Sequence, residues 1–308
     1  MQNIIRRCIN NCLRRTANLL SVLLLGGSVF AQTLSGPPIE LNATELTQKH
    51  AALLGQLERN AYDRPLYLES SESASMVGGN AYAVLDAAFS TVSSAFKSPN
   101  HWCEVMILPI NTKYCRAASD SSPTSLKVYI GKKTAQELAD SHAFEFDFRV
   151  AASDPNYLAV QLIAAKGPLG TNNYRIDLRA MPLPEGKTFM HLRYSYAYGM
   201  AGRIAMQAYL ATVGSGKTGF TQLPQGKKPG RVTGMRGAVE RNTMRYYLAI
   251  DAYLAALHQP AAQQFDARAE HWFDATEHYP EQFHDIDKST YMTMKKSEYL
   301  RQQTGHAG

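Results

Sequence analysis

The sequence predicts an α+β protein built around a curved antiparallel sheet. Between Leu126 and Tyr198, apolar and polar residues alternate with a period of two, which is typical of strands with one buried and one solvated face. The segments on either side show helical spacing instead. Of the 308 residues, 45% are hydrophobic and 19% are charged. This composition suits a folded core and excludes a disordered chain.

Residues 1–31 have the features of a secretory signal peptide. Four arginines precede the apolar run 19–25, and Val29 and Ala31 supply the small residues that a signal peptidase accepts. The run is short for a membrane span, so an uncleaved anchor is the less favoured alternative. We expect an exported protein, periplasmic or secreted, with no stable membrane span after cleavage.

Cleavage of this segment would change both the charge and the cysteine content. The formal net charge is +6, and loss of the four arginines leaves +2, so the basic excess expected of a nucleic-acid-binding protein is absent. Cys103 and Cys115 are the cysteines that remain. In an oxidising compartment we expect them to form a disulfide, worth about 3 kcal/mol for so short a loop. A redox-active pair is the alternative, although the spacing differs from Cys-x-x-Cys.

A helix is expected near the start of the mature chain, within an N-terminal segment over 32–64. Asn42 and Glu45 have the spacing of a capping box, in which each side chain bonds to a backbone N–H at the other position. Leucines then recur at helical spacing as far as Leu57, and the pattern stops near Asn60.

The central region is predicted to contain one strand, one or two helices and about six further strands. The first strand is expected over 66–77, where Gly78-Gly79 ends it. Helical spacing covers 80–97, and Pro99 opens a second short helix. The further strands follow at 108–117, 126–130, 144–150, 157–165, 174–180 and 190–198. Turns rich in Pro, Gly and Asn separate them.

The sheet is followed by helical segments. A short alanine-rich helix is predicted over 202–212, and a loop crowded with Gly, Lys and Pro covers 214–233. A helical extension is expected over 234–308.

This succession of elements resembles the START-like (SRPBCC) superfamily, which has the helix-grip fold. The features that match are Trp102 after the first helix, the turn 181–188 and a helix after Tyr198. The resemblance covers 65–213 and implies a sheet that wraps the closing helix, here 202–212. In that superfamily the space between them commonly holds a lipid, sterol, polyketide or other apolar ligand. The segment 241–247 is also similar to exported bacterial proteins of an uncharacterised family, a similarity that implies no activity.

The inner face of the predicted sheet and its helices supplies the candidate cavity residues. These are Phe89, Trp102, Val128, Phe146, Phe148, Leu162, Tyr174, Ile176, Met190, Tyr194 and Tyr196. The favoured function is therefore binding of a hydrophobic small molecule or lipid. The sequence equally allows the alternative that side chains alone fill this space and that the inner face binds no ligand.

Two other functions also stay open. A START-like enzyme of the cyclase or hydrolase type would need an acid or base at the cavity mouth, for which Tyr194, His191 and His101 are the candidates. A cell-envelope protein would instead dock a partner through its C-terminal helices. No nucleophile motif such as Gly-x-Ser-x-Gly is present, so binding is favoured over catalysis.

Two further motifs carry little weight. Residues 211–218 approach the Walker A pattern, but a P-loop needs a strand before it and a helix after it. Here a predicted helix comes first. Histidines and carboxylates crowd 270–287, with His271 and His278 two turns apart, whereas zinc pairs on one helix favour a spacing of three or four. We therefore expect no metal and no cofactor.

Overall fold

The strands form a single curved antiparallel sheet. The computed structural model describes residues 42–118, 124–212, 214–223 and 230–305. Within these residues the strands are β1 (Leu66–Glu72), β2 (Met76–Leu85), β3 (Thr112–Ala118), β4 (Ser125–Ile130), β5 (His142–Asp154), β6 (Tyr157–Lys166), β7 (Thr171–Pro182) and β8 (Thr188–Tyr198). Their spatial order is β1-β2-β8-β7-β6-β5-β4-β3. The prediction of about six strands after the helices is confirmed by β3 to β8. The predicted signal peptide lies outside the described residues.

Helices pack on both faces of this sheet. They are α1 (Ala43–Glu58), α2 (Phe89–Phe96), α3 (Pro99–Met106), α4 (Met200–Thr212), α5 (Gly234–Ala256), α6 (Ala261–Glu277), α7 (Pro280–Phe283) and α8 (Lys288–Thr304). None of the helices in the described part of the chain is both long enough and apolar enough to cross a bilayer.

The prediction of one strand over 66–77 and a helix over 80–97 is wrong, because this region contains two strands, β1 and β2, and the helix α2 is confined to Phe89–Phe96. The Gly78-Gly79 pair does not end a strand, because it lies inside β2, which runs on to Leu85 before α2 begins at Phe89. The reason is a close approach of α5. A Cβ atom on Gly79 would lie 2.4 Å from Oγ1 of Thr243. Glycine within a strand marks such an approach as readily as it marks a strand end.

The closing helix is α5, and the prediction that 202–212 fills this place is wrong. Helix α5 packs against β1, β2 and β8 and against α3. Of its 23 residues, 14 are buried. In α4, by contrast, Gly202 is the one buried residue. Because α5 is buried on most of its circumference and carries charges, it shows little of the one-sided apolar stripe that marks a surface helix. The broader prediction, a helix-grip α+β fold with added C-terminal helices, is confirmed.

The outer face of the sheet is partly covered by α1, whereas the outer positions of β4 and β5, such as Lys127, Glu145 and Asp147, are exposed as the alternation predicts. Helix α1 starts as predicted, since the Asn42 side chain accepts a hydrogen bond from the Glu45 N–H (2.7 Å). It buries Leu46, Leu53 and Leu57. These leucines form a second small core with sheet residues on the outer face: Tyr82, Tyr157, Ala159, Met181 and Phe189.

The predicted disulfide between Cys103 and Cys115 is confirmed. It joins α3 to β3, and both cysteines are buried. A second connection ties the C-terminal helix α8 to the same strand. Lys113 of β3 and Lys295 of α8 share the Glu298 carboxylate at 2.9 and 2.7 Å, and all three side chains are buried.

Candidate functional site

Aromatic rings form a continuous surface on the inner face of the sheet. We call it the aromatic wall and define it as Phe144, Phe146, Tyr174, Tyr194, Tyr196 and Tyr246. The ring centroids of Phe144 and Tyr174 are 5.1 Å apart, as are those of Tyr174 and Tyr196. Tyr194 continues the surface to Tyr246 of α5 at 5.5 Å. Ala164 on the intervening strand β6 pairs with Tyr174 and leaves room for the rings to meet across it.

The tyrosines give this apolar surface a set of neutral hydroxyls. Burial raises the pKa of Tyr174 and of Tyr246 to about 12 and raises that of Tyr194 well above its usual value. The Tyr174 hydroxyl is 2.8 Å from Oγ1 of Thr171. The wall can therefore contact apolar groups with its rings and form hydrogen bonds to polar groups with its hydroxyls, but its phenols are poor bases at neutral pH.

Helix α4 packs loosely against β8, α5 and the turn 168–170. Met206 and Leu210 are partly buried against the core, while Met200 and Ile204 are 83% and 62% exposed. The helix is held closely at its first turn, where Gly202 approaches the backbone of Gly170 so nearly that a Cβ would lie 2.8 Å from the Gly170 carbonyl oxygen. A helix fixed at one end and weakly packed along its length can move with little loss of buried apolar area.

A group of four basic side chains lies beside the wall. We call Lys133, Lys217, Arg241 and Arg245 the cationic cluster. Three of them surround Asp285, whose carboxylate is 2.7 Å from Lys133 Nζ, 3.5 Å from Lys217 Nζ and 3.9 Å from Arg245 Nη2. The fourth, Arg241, donates to the Thr218 carbonyl oxygen at 3.0 Å.

Asn242 connects the cationic cluster to the aromatic wall. Its Oδ1 accepts a hydrogen bond from Arg245 Nη1 at 3.0 Å. Its side chain also forms a hydrogen bond with the Tyr194 hydroxyl. This bond lowers the pKa of Tyr194 and so opposes part of the increase that burial causes. The sequence pattern does not mark these basic residues as a site, although Arg241, Asn242 and Arg245 lie within two turns of a helix that is otherwise rich in buried residues.

The predicted cavity residues fall into two groups. Phe146, Tyr174, Tyr194 and Tyr196 belong to the aromatic wall. The remainder fill the interior or its margin, with Trp102, Leu162, Ile176 and Met190 inaccessible, Phe89 and Val128 nearly so, and Phe148 partly exposed. The Trp102 indole, for example, donates to the Phe96 carbonyl oxygen and packs on the Phe96 ring. Their role in ligand binding stays a prediction.

Of the predicted acid and base candidates, Tyr194 is the one that lies in the wall. His191 lies on the outer face, stacked on the Tyr82 ring at 4.3 Å, and burial lowers its pKa to about 3. His101 bonds through Nδ1 to the Ala95 carbonyl oxygen and packs near Tyr253, at the junction of α2, α3 and α5. The wall thus offers hydroxyls without a neighbouring histidine from this set.

The two weak motifs find structural explanations. Lys217 of the Walker-like segment contacts Asp285, and α4 precedes that segment. In the histidine-rich stretch, His271 and His284 pair with separate carboxylates, Asp251 and Glu277. Among the residues that the structure describes, no group of three His, Cys, Asp or Glu side chains is placed to hold a metal ion.

An open groove of about 400 Å³ lies along the edge strand β1, away from the predicted cavity residues. Tyr62, Tyr67 and Phe220 supply its aromatic lining, and Arg59 and Arg236 supply charge. None of the predicted cavity residues lines this groove, so it is not the cavity that the sequence predicts.

No protein-family model matches the sequence, and no curated protein matches it significantly. Solved structures with a similar arrangement include human StAR-related lipid transfer protein 5, which is 12% identical over 70% of this chain and 99% of its own, with a TM-score of 0.35. A norcoclaurine synthase from Thalictrum flavum is 13% identical over 46% of this chain and 85% of its own, with a TM-score of 0.33. A START superfamily protein from Mycobacterium smegmatis is 14% identical over 41% of this chain and 79% of its own, with a TM-score of 0.27. These scores are low, so the fold assignment rests on the sheet order and on the placement of α5.

Proposed function

We propose that this is an exported protein that binds a hydrophobic small molecule or lipid against the aromatic wall. The observation that carries the proposal is the aromatic wall itself, together with the neighbouring helix α4, which is loosely packed against β8 and α5. Phe144, Tyr174 and Tyr194 are buried but keep 6–7% exposure, whereas Leu162, Ile176 and Met190 on the same face of the sheet are inaccessible. These three wall residues are therefore nearer to solvent than Leu162, Ile176 and Met190.

Ligand entry would proceed by displacement of α4. In the described structure the wall residues are largely buried, so a ligand needs space that other side chains now fill. We expect movement of Met206 and Leu210 to provide it, because both are only partly buried against the core. The displaced contacts are few, and a ligand that covers several aromatic rings replaces them with a larger apolar area at about 25 cal/mol per Å². The helix would stay attached through the close contact between Gly202 and Gly170.

Native mass spectrometry of the purified protein tests this function. We expect a co-purifying apolar molecule, or uptake of a neutral long-chain alcohol by protein from which such a molecule has been extracted. Tyr174→Leu should weaken uptake at least fivefold, since it removes the ring that joins both halves of the wall. Tyr157→Leu is the matched control, because Tyr157 is equally buried but lies on the outer face against α1. A clean apo mass together with no alcohol uptake would rule the proposal out.

Export is tested separately. Fusion of residues 1–40 to a reporter that is active only outside the cytoplasm should give activity, and replacement of the four arginines by glutamine should reduce it. An inactive fusion would exclude export by this segment without affecting the proposal for the wall.

A further inference from the structure

The cationic cluster has more positive charge than its neighbours neutralise. Lys133, Lys217 and Arg245 share the single carboxylate of Asp285, and two of the three contacts are long, at 3.5 and 3.9 Å. Glu240 precedes Arg241 on the same helix and adds one negative charge, which raises the pKa of Arg241, while its oxygens accept hydrogen bonds from Ser70 and from the backbone N–H groups of Phe220 and Thr221. The four cations of the cluster therefore face two carboxylates, Asp285 and Glu240.

The cluster is partly removed from water, so this imbalance has an energetic cost. The side chains of Lys133, Lys217 and Arg245 are only 30%, 19% and 12% exposed. Burial lowers the pKa of Lys133 and of Arg245, and burial together with the charge of Arg245 lowers the pKa of Arg241 to about 10. A bound anion would offset both the burial and the mutual repulsion of these groups.

The cationic cluster lies next to the aromatic wall. The Arg245 guanidinium is near enough to the hydroxyls of Tyr194, Tyr209 and Tyr246 to interact with them electrostatically. Asn242 bridges Arg245 and Tyr194. A molecule whose charged end contacts Arg245 therefore reaches the aromatic rings with its next few atoms.

We infer that the cationic cluster binds the oxyanion headgroup of an amphiphile, a carboxylate or a phosphate, whose hydrocarbon chain lies on the aromatic wall. This inference rests on the proposed function and specifies its ligand class. Arg245 offers the planar pair of N–H groups that suits an oxyanion, and Lys217 adds a second charge. The headgroup would replace the two long contacts of Asp285 with Lys217 and Arg245, while Lys133 keeps its 2.7 Å pair with that carboxylate.

The test compares three C16 ligands that differ only in headgroup: hexadecanoic acid, hexadecanol and hexadecyl phosphate. Binding to the intact mature protein is measured by calorimetry at low ionic strength. We expect at least one of the anions to bind tenfold or more tightly than the alcohol, and the stronger of the two identifies the headgroup. The preference should shrink as salt is added, because screening weakens charge contacts.

Substitutions in the cationic cluster test whether it causes the preference for anions over the alcohol. Arg245→Gln should reduce the anion-to-alcohol preference to less than threefold, with a larger loss of affinity for the anions than for hexadecanol. Lys217→Gln is the second variant, in case the first one fails to fold, and it should reduce the preference by at least half. Arg193→Gln is the control, since Arg193 lies on β8 with its charge near His191 on the opposite face of the sheet.

Each outcome separates the two proposals. Equal binding of alcohol and anions would overturn the headgroup inference and leave the proposed function standing. An anion preference that survives both cluster variants would also overturn it. Inorganic phosphate that binds as tightly as hexadecyl phosphate would show an anion site without a link to the wall. If none of the C16 ligands binds, the proposed function itself fails.

Discussion

The contact between Gly79 and Thr243 offers the sharpest test of the fold, because it places α5 on the sheet. Gly79→Ala would put a Cβ 2.4 Å from Thr243 Oγ1, 3.3 Å from Thr243 Cβ and 3.4 Å from the Val239 carbonyl oxygen. The first distance is shorter than any relaxed contact, and Oγ1 is itself fixed by its hydrogen bond to Val239 at 2.8 Å. Either Thr243 must rotate and lose this bond, or α5 must move. Overpacking of this kind costs about 1–3 kcal/mol.

The neighbouring glycine is a matched control. A Cβ on Gly78 would point to the other face of the sheet and meet Ser195 Cβ at 3.4 Å, an ordinary contact. Both substitutions reduce the freedom of the unfolded chain alike, so that contribution cancels in the comparison. We expect Gly79→Ala to lower the free energy of unfolding by about 2 kcal/mol more than Gly78→Ala does.

Urea denaturation followed by far-UV circular dichroism measures both values. Adding Thr243→Ala to Gly79→Ala removes Oγ1 and should restore at least about 1 kcal/mol, although the 3.3 Å contact with Cβ persists. Equal losses for the two glycine variants, or no recovery in the double variant, would mean that α5 does not cross the sheet at β2.

Three further predictions concern stability. Cys103→Ala/Cys115→Ala should lower the unfolding free energy by about 3 kcal/mol and Tm by about 6–12 °C in calorimetry, and an unchanged Tm in non-reducing buffer would contradict the bond. Leu53→Ala should cost about 2–5 kcal/mol in urea, against less than about 0.5 kcal/mol for Leu54→Ala, which removes a side chain that is 48% exposed. Burial lowers the pKa of Lys295 from 10.5 to about 8, so between pH 8 and 9.5 the unfolded state binds more protons and stability should rise with pH. Lys295→Met should flatten that rise, and parallel pH profiles for the two proteins would refute the assignment.

The strands were predictable because each of them keeps one face against an apolar core. In β7 and β8 this produces alternation over ten or more residues, which single substitutions do not disguise. Strand β2 was not predictable in the same way. Its inner positions are small residues, Gly79, Ala81 and Ala83, because α5 lies so close, and small residues carry little signal of either period.

The site was predictable only in part, for a different reason. Tyr174, Tyr194 and Tyr196 follow from the strand pattern, since inner-face positions are fixed by the pairing register. The cationic cluster does not follow, because its residues come from separate segments: Lys133 after β4, Lys217 after α4 and Arg245 within α5. Residues from distant segments come together only through the tertiary fold, which local periodicity does not specify.

The order of elements along the chain has a consequence for how the protein is made. Helix α5 comes after every strand, and Thr243 meets a residue more than 160 positions earlier. Contacts over so long a separation form slowly, because a large loop must close before they stabilise anything. During synthesis the strands of the described residues are therefore all made before α5 can cover the part of the inner face formed by β1, β2 and β8. A chain cut short before Gly234 would have these strands but lack that part of its core, and we expect it to aggregate rather than fold.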